Sequence, residues 1–289
     1  MNSEWLRTLV AVIDEGSFEA AADELHVSAS AVSQRIKAME SHLGRLVVRR
    51  TLPCTVTEAG EQLLRMARQV LLLEDETLAE LTAPQAAGVL RAAVNADSLA
   101  TWFRPVLTEA AGWSDVTLRL EVEDQDHSSA LLRRGDVMGV VTSQAGAVTG
   151  CRQELLGRMR YLPVAAPSLV ERHRRGSEVD LATLPALRYN AKDDLQLALL
   201  RRRGIDVVPP QPQLPGSEAF LAGVEAGLGW GMIPQVQLGD ALETGRLELL
   251  CDEVLDLPLY WQAWRIESTR VSRLGEAVRR AARAGLLPG

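Results

Sequence analysis

The chain has 289 residues, of which 47% are hydrophobic and 24% are charged. This composition is typical of a globular protein of about two domains, and it excludes a disordered chain. No apolar run reaches the roughly 18–20 residues of a membrane-spanning helix, and the first 15 residues lack a secretory signal, so we expect a cytoplasmic protein without membrane contact. The three cysteines, Cys54, Cys151 and Cys251, include no CxxC pair. They predict reduced thiols rather than disulfides or a zinc site.

The charge is unevenly distributed along the chain. The formal net charge is −7, which by itself argues against a nucleic-acid partner. Residues 28–57 nevertheless contain five basic side chains and one acidic side chain. A basic segment in an acidic protein is typical of a DNA-binding module fused to a larger domain, although a solvated helix face would explain the same charges.

Three helices are predicted near the N-terminus, at residues 3–14, 18–25 and about 29–43. Ser17 can cap the second helix, Ser28 or Ser30 can cap the third, and Gly44 can end the third. The second helix is rich in alanine, which allows close helix packing, and the third has polar side chains in its first turns. This pattern predicts a helix-turn-helix that enters the major groove of DNA.

Two short β-prone runs, 46–50 and 55–57, surround a proline-containing turn and predict a wing. A long helix is then predicted from residue 58 to about residue 81. Its apolar positions follow an alternating spacing of three and four residues, which indicates a dimerising coiled-coil seam. The seam consists of Leu64, Ala67, Leu71, Glu74, Leu78 and Leu81. Packing of this helix on its own domain is the alternative.

A break at residues 83–88 separates this helix from an alternation of strands and helices. Such alternation predicts a mostly parallel α/β sheet with ligands at the strand ends. The predicted strands are 89–95, 116–123, 137–142, 161–166, 187–189, 228–234, 247–250 and 259–265. The predicted helices are 98–111, 127–134, 195–203, 217–226 and 270–284.

These segments resemble the LysR-type transcriptional regulators over essentially the whole chain. The similar segments are 16–22 and 27–36 in the helix-turn-helix, 57–60 after the wing, and 226–229 with 232–234 in the second half. Segments 94–102, 122–124, 132–137 and 216–220 are similar to the ArgP/LysG subgroup. Members of that subgroup sense lysine and arginine and control an exporter of basic amino acids.

The resemblance implies a winged helix-turn-helix, a linker helix and a two-lobed α/β effector domain like that of periplasmic binding proteins. The expected boundaries are 1–58 for the DNA-binding domain, 59–87 for the linker, 88–163 with 264–289 for lobe I, and 164–263 for lobe II. The implied partners are double-stranded DNA, a basic amino acid and further copies of the chain, as a dimer or a dimer of dimers. RNA polymerase is a further candidate partner.

The candidate DNA contacts follow from the helix-turn-helix and the wing. Short polar side chains at the start of the third helix can reach base edges, and cationic side chains can contact phosphates. The expected base-reading residues are Ser28, Ser30, Ser33 and Gln34. The expected phosphate contacts are Lys37, Arg49 and Arg50. Ser28 could instead act only as a helix cap, and Arg35 could pair with Glu40 or another surface acid.

The candidate effector site begins where a buried strand ends at Asp97 and Ser98, since backbone N–H groups at a helix start can hold a carboxylate. A cationic ligand additionally needs carboxylates, and polar side chains at other strand and helix ends can complete the site. The candidates are Asp97, Ser98, Glu123, Asp124, Thr142, Ser143, Asn190, Ser217 and Glu218. Asp97 could instead be a helix cap, and Glu123 could be solvated.

Two other classes of function remain open from the residues alone. One is an enzyme built on the two lobes, and the other is a module whose helix-turn-helix binds protein. The sequence contains no GxSxG, P-loop or HExxH motif and only four histidines. We therefore expect no catalytic residues, no bound metal and no cofactor.

Overall fold

The computed structural model describes residues 1–82, 88–122, 125–176 and 178–289. It confirms the three predicted N-terminal helices and the wing. Ser17 and Ser28 each accept a hydrogen bond from a backbone N–H of their helix, and Gly44 ends the third helix in the left-handed conformation. The elements are α1 (Ser3–Asp14), α2 (Phe18–Glu24), α3 (Ala29–Leu43), β1 (Val48–Arg49), β2 (Thr55–Val56) and α4 (Glu58–Leu81).

The long helix α4 has two different halves. Leu64 and Ala67, two of the predicted seam residues, are buried in the core that α1 and α3 form with the wing. For this half, packing on the same chain is the correct interpretation. Leu78 and Leu81 in the second half are 48% and 77% exposed, so this half presents apolar side chains to solvent.

The remaining chain forms one seven-stranded sheet with helices around it. Its strands are β3 (Gly88–Val94), β4 (Val116–Val122), β5 (Gly139–Thr142), β6 (Cys151–Ala165), β9 (Gly231–Pro234), β10 (Glu248–Leu249) and β11 (Leu255–Trp264). Two further strands, β7 (Arg174–Arg175) and β8 (Glu178–Val179), form a separate hairpin. The helices are α5 (Ala96–Ala100), α6 (Arg104–Ala110), α7 (Gln125–Arg134), α8 (Pro167–Arg172), α9 (Leu195–Arg202), α10 (Ser217–Glu225) and α11 (Thr269–Gly285).

The prediction of a mostly parallel sheet is wrong. β3 is parallel to β4 and to β5, but β11 is antiparallel to β5 and β6, and β6 is antiparallel to β9 and β10. Strands β10 and β11 follow β9 without an α-helical crossover, so the chain can reverse its direction in the sheet. The long strands β6 and β11 run through both halves of the sheet.

These two long strands are shared by the two lobes of the domain. Lobe I contains β3, β4 and β5, and lobe II contains β9 and β10. Lobe II has its own apolar cluster, which includes Leu187, Phe220, Val224 and Ile233. The single helix predicted at 98–111 is two helices, since Pro105 lies in the first turn of α6 and has no N–H to continue α5.

Candidate functional site

The exposed face of α3 carries most of the residues predicted to read DNA. Ser30, Gln34 and Lys37 are exposed and Ser33 is partly exposed, on the side away from the buried core of this helix. Ser28 Oγ accepts a hydrogen bond from the N–H of Ala31 at 3.2 Å and lies 2.9 Å from Ser30 Oγ. Ser28 therefore caps the helix, which fixes where the reading face begins.

The wing lies beside α3 and presents two cations. Arg49 and Arg50 are both exposed, and the guanidinium carbon of Arg50 lies 4.9 Å from the centroid of the Phe18 ring. Glu40 Oε1 accepts hydrogen bonds from the N–H groups of Val47 at 2.9 Å and Val48 at 3.3 Å. This carboxylate thus connects α3 to the wing.

Two cations of this domain differ in what they contact. Arg35 pairs with Glu4 on α1 at 3.5 Å, so the expected surface acid is Glu4 and not Glu40. No ion pair of Lys37 is found among the described residues. Lys37 is exposed on the same face of α3 as Gln34, as its predicted role as a phosphate contact requires.

The junction of the wing and α4 depends on Thr57 and Gly60. Thr57 Oγ1 donates to the carbonyl of Leu46 at 2.8 Å and accepts from the N–H of Gly60 at 3.0 Å. A Cβ atom on Gly60 would lie 2.0 Å from the carbonyl oxygen of Val47. Only glycine allows this approach, so the 57–60 segment fixes the wing against the linker helix.

A cavity of about 310 Å³ lies between the two lobes. Its wall combines the start of α5, strand β6, the 189–195 loop, the start of α10 and strand β9. Three predicted effector residues, Asp97, Asn190 and Ser217, line it. The chain therefore brings residues from both lobes to one site.

Asp97 joins the two lobes. Its Oδ1 accepts a hydrogen bond from Ser217 Oγ on α10 at 2.7 Å, and its Oδ2 accepts one from the hydroxyl of Tyr161 on β6 at 2.9 Å. Burial raises the pKa of Asp97, and the hydrogen bonds from Ser217 and Tyr161 oppose that rise. Burial also raises the pKa of Tyr161 well above its ordinary value, so its hydroxyl stays a neutral donor.

A second buried carboxylate lies in the 189–195 loop. Burial raises the pKa of Asp193, whose oxygens accept hydrogen bonds from the N–H of Tyr189 at 2.8 Å and of Leu195 at 3.2 Å. Asp194 and Lys192 also line the cavity. Asp194 pairs with Arg201 of α9, so Asp97 and Asp193 are the carboxylates of the lining that suit a cationic ligand.

Four predicted effector residues do not line this cavity. Ser98 is buried and its Oγ accepts from Trp102 Nε1 at 3.0 Å, so α5 turns it away from the opening. Thr142 is buried and its Oγ1 accepts from the N–H of Gln144 at 3.2 Å, and neighbouring Ser143 lies outside the lining as well. Glu218 is exposed and pairs with Arg104 at 2.9 Å.

Two further predicted residues, Glu123 and Asp124, lie outside the described residues. Conversely, Tyr161, Asp193 and Gln237 line the cavity without having been predicted. Tyr161 is a polar side chain at the first position of a predicted strand, and Asp193 belongs to a charged run between predicted elements. Both are local signals that could have identified them, whereas Gln237 has no such signal.

The fold and these sites together define an effector-responsive DNA-binding regulator: a winged helix-turn-helix, a linker helix and a two-lobed ligand-binding domain. Residues 3–61 match the family model of the bacterial regulatory helix-turn-helix proteins of the lysR family, and residues 83–286 match the LysR substrate-binding domain. The chain belongs to the LysR family.

Relatives over the full length are transcriptional regulators. The chain is 46% identical to the lysine export transcriptional regulatory protein LysG of Corynebacterium glutamicum, covering 100% of both chains. It is 39% identical to the transcriptional regulator ArgP of Pseudomonas fluorescens, covering 98% of this chain and 97% of that protein. The prediction of a regulator rather than an enzyme is confirmed.

Solved structures give the same result. Full-length LysG of Corynebacterium glutamicum with bound effector Arg matches with a TM-score of 0.84 and 46% identity, covering 100% of both chains. ArgP of Mycobacterium tuberculosis matches with a TM-score of 0.89 and 45% identity, covering 100% of this chain and 99% of that one. The predicted resemblance to the ArgP/LysG subgroup is confirmed.

The part of the chain that the structure describes contains neither a candidate membrane span nor a candidate metal centre. None of the helices there is both long and apolar enough to span a membrane. In the same part of the chain, no group of three or more His, Cys, Asp or Glu side chains is arranged to hold a metal ion.

Proposed function

We propose that this regulator responds to a basic amino acid, lysine or arginine, bound in the cavity between its lobes, and controls the export of that class of amino acid. The observation that carries the proposal is the pair of buried aspartates, Asp97 and Asp193, that line a cavity of about 310 Å³. The LysG structure with bound arginine and the lysine-export name of that relative support it.

The cavity offers different groups to the two ends of such a ligand. The carboxylate of Asp97 is placed to accept a cationic group, since its oxygens face Ser217 and Tyr161 across the cleft. The amide of Asn190 and the ammonium of Lys192 lie on the lining and suit an α-carboxylate. A ligand that engages both sets contacts lobes I and II together.

In this proposal, binding of the amino acid changes DNA binding by shifting the equilibrium between two arrangements of the lobes. A ligand that binds one arrangement more tightly increases its population, which changes the orientation of the reading helices on DNA. In this proposal Ser30, Ser33 and Gln34 read base edges, with Ser28 setting the start of the helix. The phosphate contacts are Lys37, Arg49 and Arg50.

The assembly and the cellular setting are part of the same proposal. Two reading helices are needed for a two-fold operator, and the exposed second half of α4 offers apolar surface for a homodimer, with a dimer of dimers as a further assembly. We place the domain boundaries at 1–58, 59–87, 88–163 with 264–289, and 164–263. Action on chromosomal DNA implies the cytoplasm, and RNA polymerase is the partner through which transcription would change.

A thermal-unfolding screen tests the effector. L-Arginine and L-lysine should each raise the melting temperature, because a ligand that binds the folded state stabilises it by mass action. Citrulline and norleucine are matched controls, since they keep much of the shape of these ligands and lack the side-chain cation. Equal shifts with the neutral analogues, or no shift with either basic amino acid, would contradict the proposal.

DNA binding is tested separately with the DNA upstream of the gene itself and of neighbouring exporter genes. Gel shifts should show a specific complex at a stated salt concentration, because phosphate contacts make affinity salt-dependent. Arginine or lysine should change the affinity or the footprint. A chain that binds all DNA alike would refute sequence-specific reading.

A further inference from the structure

Four charged side chains connect the DNA-binding domain to lobe I within one chain. Asp14, at the end of α1, accepts hydrogen bonds from Arg68 of α4 at 2.5 Å and from Arg91 of β3 at 2.7 Å. Arg68 also pairs with Asp136, in the loop between α7 and β5. We call Asp14, Arg68, Arg91 and Asp136 the ionic cluster.

The side chains of the ionic cluster are partly shielded from solvent, although Asp14 lies at the exposed end of α1. The exposed fractions of its side chains are 9% for Arg68, 17% for Asp14, 22% for Asp136 and 26% for Arg91. Ion pairs on open surface contribute little because water and salt screen them, whereas shielded pairs with several hydrogen bonds fix their geometry more firmly. This cluster is therefore suited to hold two domains in one relative orientation.

The linker helix is packed on lobe I independently of Asp14. Gly135 lies against α4, where a Cβ atom would be 2.9 Å from the Cα atom of Arg65. At the other end of α4, the buried carboxylate of Glu76 accepts hydrogen bonds from Ser268 Oγ at 2.6 Å and from the N–H of Arg270 at 3.2 Å. Helix α4 and lobe I thus form one body. Helix α1 packs on the first half of α4, and Asp14 adds a direct contact from α1 to lobe I through Arg91.

The strand that carries Arg91 also leads to the cavity. Arg91 lies in the middle of β3, and Asp97 follows six residues later, after the strand ends at Val94. A strand is stiff along its length because its backbone is hydrogen-bonded to β4 and β5 on both sides. Strand β3 is therefore a continuous hydrogen-bonded connection between Arg91 and the cavity wall at Asp97.

We infer that the Asp14–Arg91 pair is a positioning contact that couples occupancy of the cavity to the orientation of the DNA-reading domain. This inference rests on the proposed function for the role of the cavity. The pair itself is present in this structure and does not depend on the identity of the ligand proposed above. Removing either charge should leave effector binding intact and uncouple it from DNA binding.

The first test needs no ligand. A double-mutant cycle compares the melting temperatures of wild type, Asp14→Asn, Arg91→Gln and the double variant. If the two side chains act together, the loss in the double variant is smaller than the sum of the two single losses. Additive losses would overturn the proposed contact.

The second test measures coupling with L-arginine and L-lysine. In Arg91→Gln the ligand-dependent change in DNA affinity should be smaller than in wild type by about threefold or more, with unchanged affinity for the amino acid by calorimetry. Arg7→Gln is the matched control, since Arg7 is also on α1 but, among the described residues, forms its ion pairs with Glu74 and Asp75 of the linker helix, each at 3.2 Å. It should keep the wild-type coupling.

The outcomes separate this inference from the proposed function. If neither amino acid affects wild-type DNA binding or stability, the effector assignment fails while the double-mutant cycle still decides whether the contact exists. If wild type responds and Arg91→Gln responds equally, the coupling role is wrong. Equal loss of coupling in Arg7→Gln and Arg91→Gln would also overturn it, because the effect would not depend on lobe I.

Discussion

Replacing Asp97 with asparagine removes one negative charge from the cavity and keeps the shape of the side chain. The carboxylate of Asp97 already accepts two hydrogen bonds, from Ser217 at 2.7 Å and Tyr161 at 2.9 Å. Its attraction to a cationic ligand therefore depends mainly on its negative charge. A hydrogen bond to a charged group is worth about 1.5–3 kcal/mol, which corresponds to roughly a 10- to 150-fold weaker Kd for arginine in Asp97→Asn.

The raised pKa of Asp97 makes both stability and arginine affinity depend on pH. Burial raises the pKa of Asp97, so the folded ligand-free protein binds this proton more tightly than the unfolded chain. Its contribution to stability therefore falls as the pH rises from the ordinary pKa of aspartate through the raised pKa. Above that window Asp97→Asn should be at least as stable as wild type without ligand. The affinity of wild type for arginine should fall as the pH is lowered through the same window.

Titration calorimetry with L-arginine and L-lysine measures the loss of affinity, and thermal unfolding measures stability across pH. Glu218→Gln is the matched control, since Glu218 lies one residue after Ser217 but is exposed and pairs with Arg104 outside the cavity. DNA affinity without ligand should stay at the wild-type value in both variants. Wild-type arginine binding by Asp97→Asn would refute the assignment of this carboxylate.

Other contacts give predictions of the same kind. Gln34→Ala should reduce the preference for one base at one operator position by about 1–3 kcal/mol, whereas Arg49→Ala should lower the affinity for all DNA sequences alike and reduce the slope of affinity against salt concentration by about one. Gel shifts on operator variants at two salt concentrations distinguish these effects. A uniform loss of affinity in both variants would refute the assignment of Gln34 to base reading and Arg49 to phosphate contact. Gly60→Ala should destabilise the chain by about 1–3 kcal/mol in denaturant unfolding, because its Cβ would lie 2.0 Å from the Val47 carbonyl oxygen, and wild-type stability would contradict this. Glu76→Gln should lower the free energy of unfolding by about 1.5–3 kcal/mol, because a buried carboxylate that accepts hydrogen bonds from the start of α11 loses its charge. An unchanged midpoint of unfolding would show that these hydrogen bonds do not contribute to stability.

The sequence was most informative where local chemistry determines structure. Ser17, Ser28 and Gly44 are capping residues whose effect extends over a few neighbours, and the helices they delimit were predicted nearly to the residue. The first ten residues of β6 were missed because arginines and a glutamate interrupt the apolar pattern between Cys151 and Tyr161. Strand direction depends on pairing partners distant in sequence, which local periodicity does not contain.

Some of the residues that line the cavity were singled out from the sequence for a related reason. Asp97, Asn190 and Ser217 each lie at or near the start of a helix or loop, where a polar residue after an apolar segment is recognisable. Tyr161 and Asp193 belong to the same site because strand β6 and the 189–195 loop both line the cavity in the folded chain. The proximity of these residues to Asp97 results from the order and direction of the strands, so it could not be predicted from spacing along the chain.

The same topology puts an irregular strand pairing between the two lobes that the proposed ligand would contact. Both lobes share β6 and β11, and the pairing of these strands is irregular where Leu259 opposes Gly157 and the register shifts at the next residue. Gly157 has a φ of 146°, and a bulge in a ladder permits local bending because hydrogen bonding is interrupted there. Tyr161 follows four residues later on β6 and contacts Asp97. A ligand that replaces or reinforces the Asp97–Ser217 bond would contact both sides of this irregularity, so we expect its binding to change the relative orientation of the two lobes.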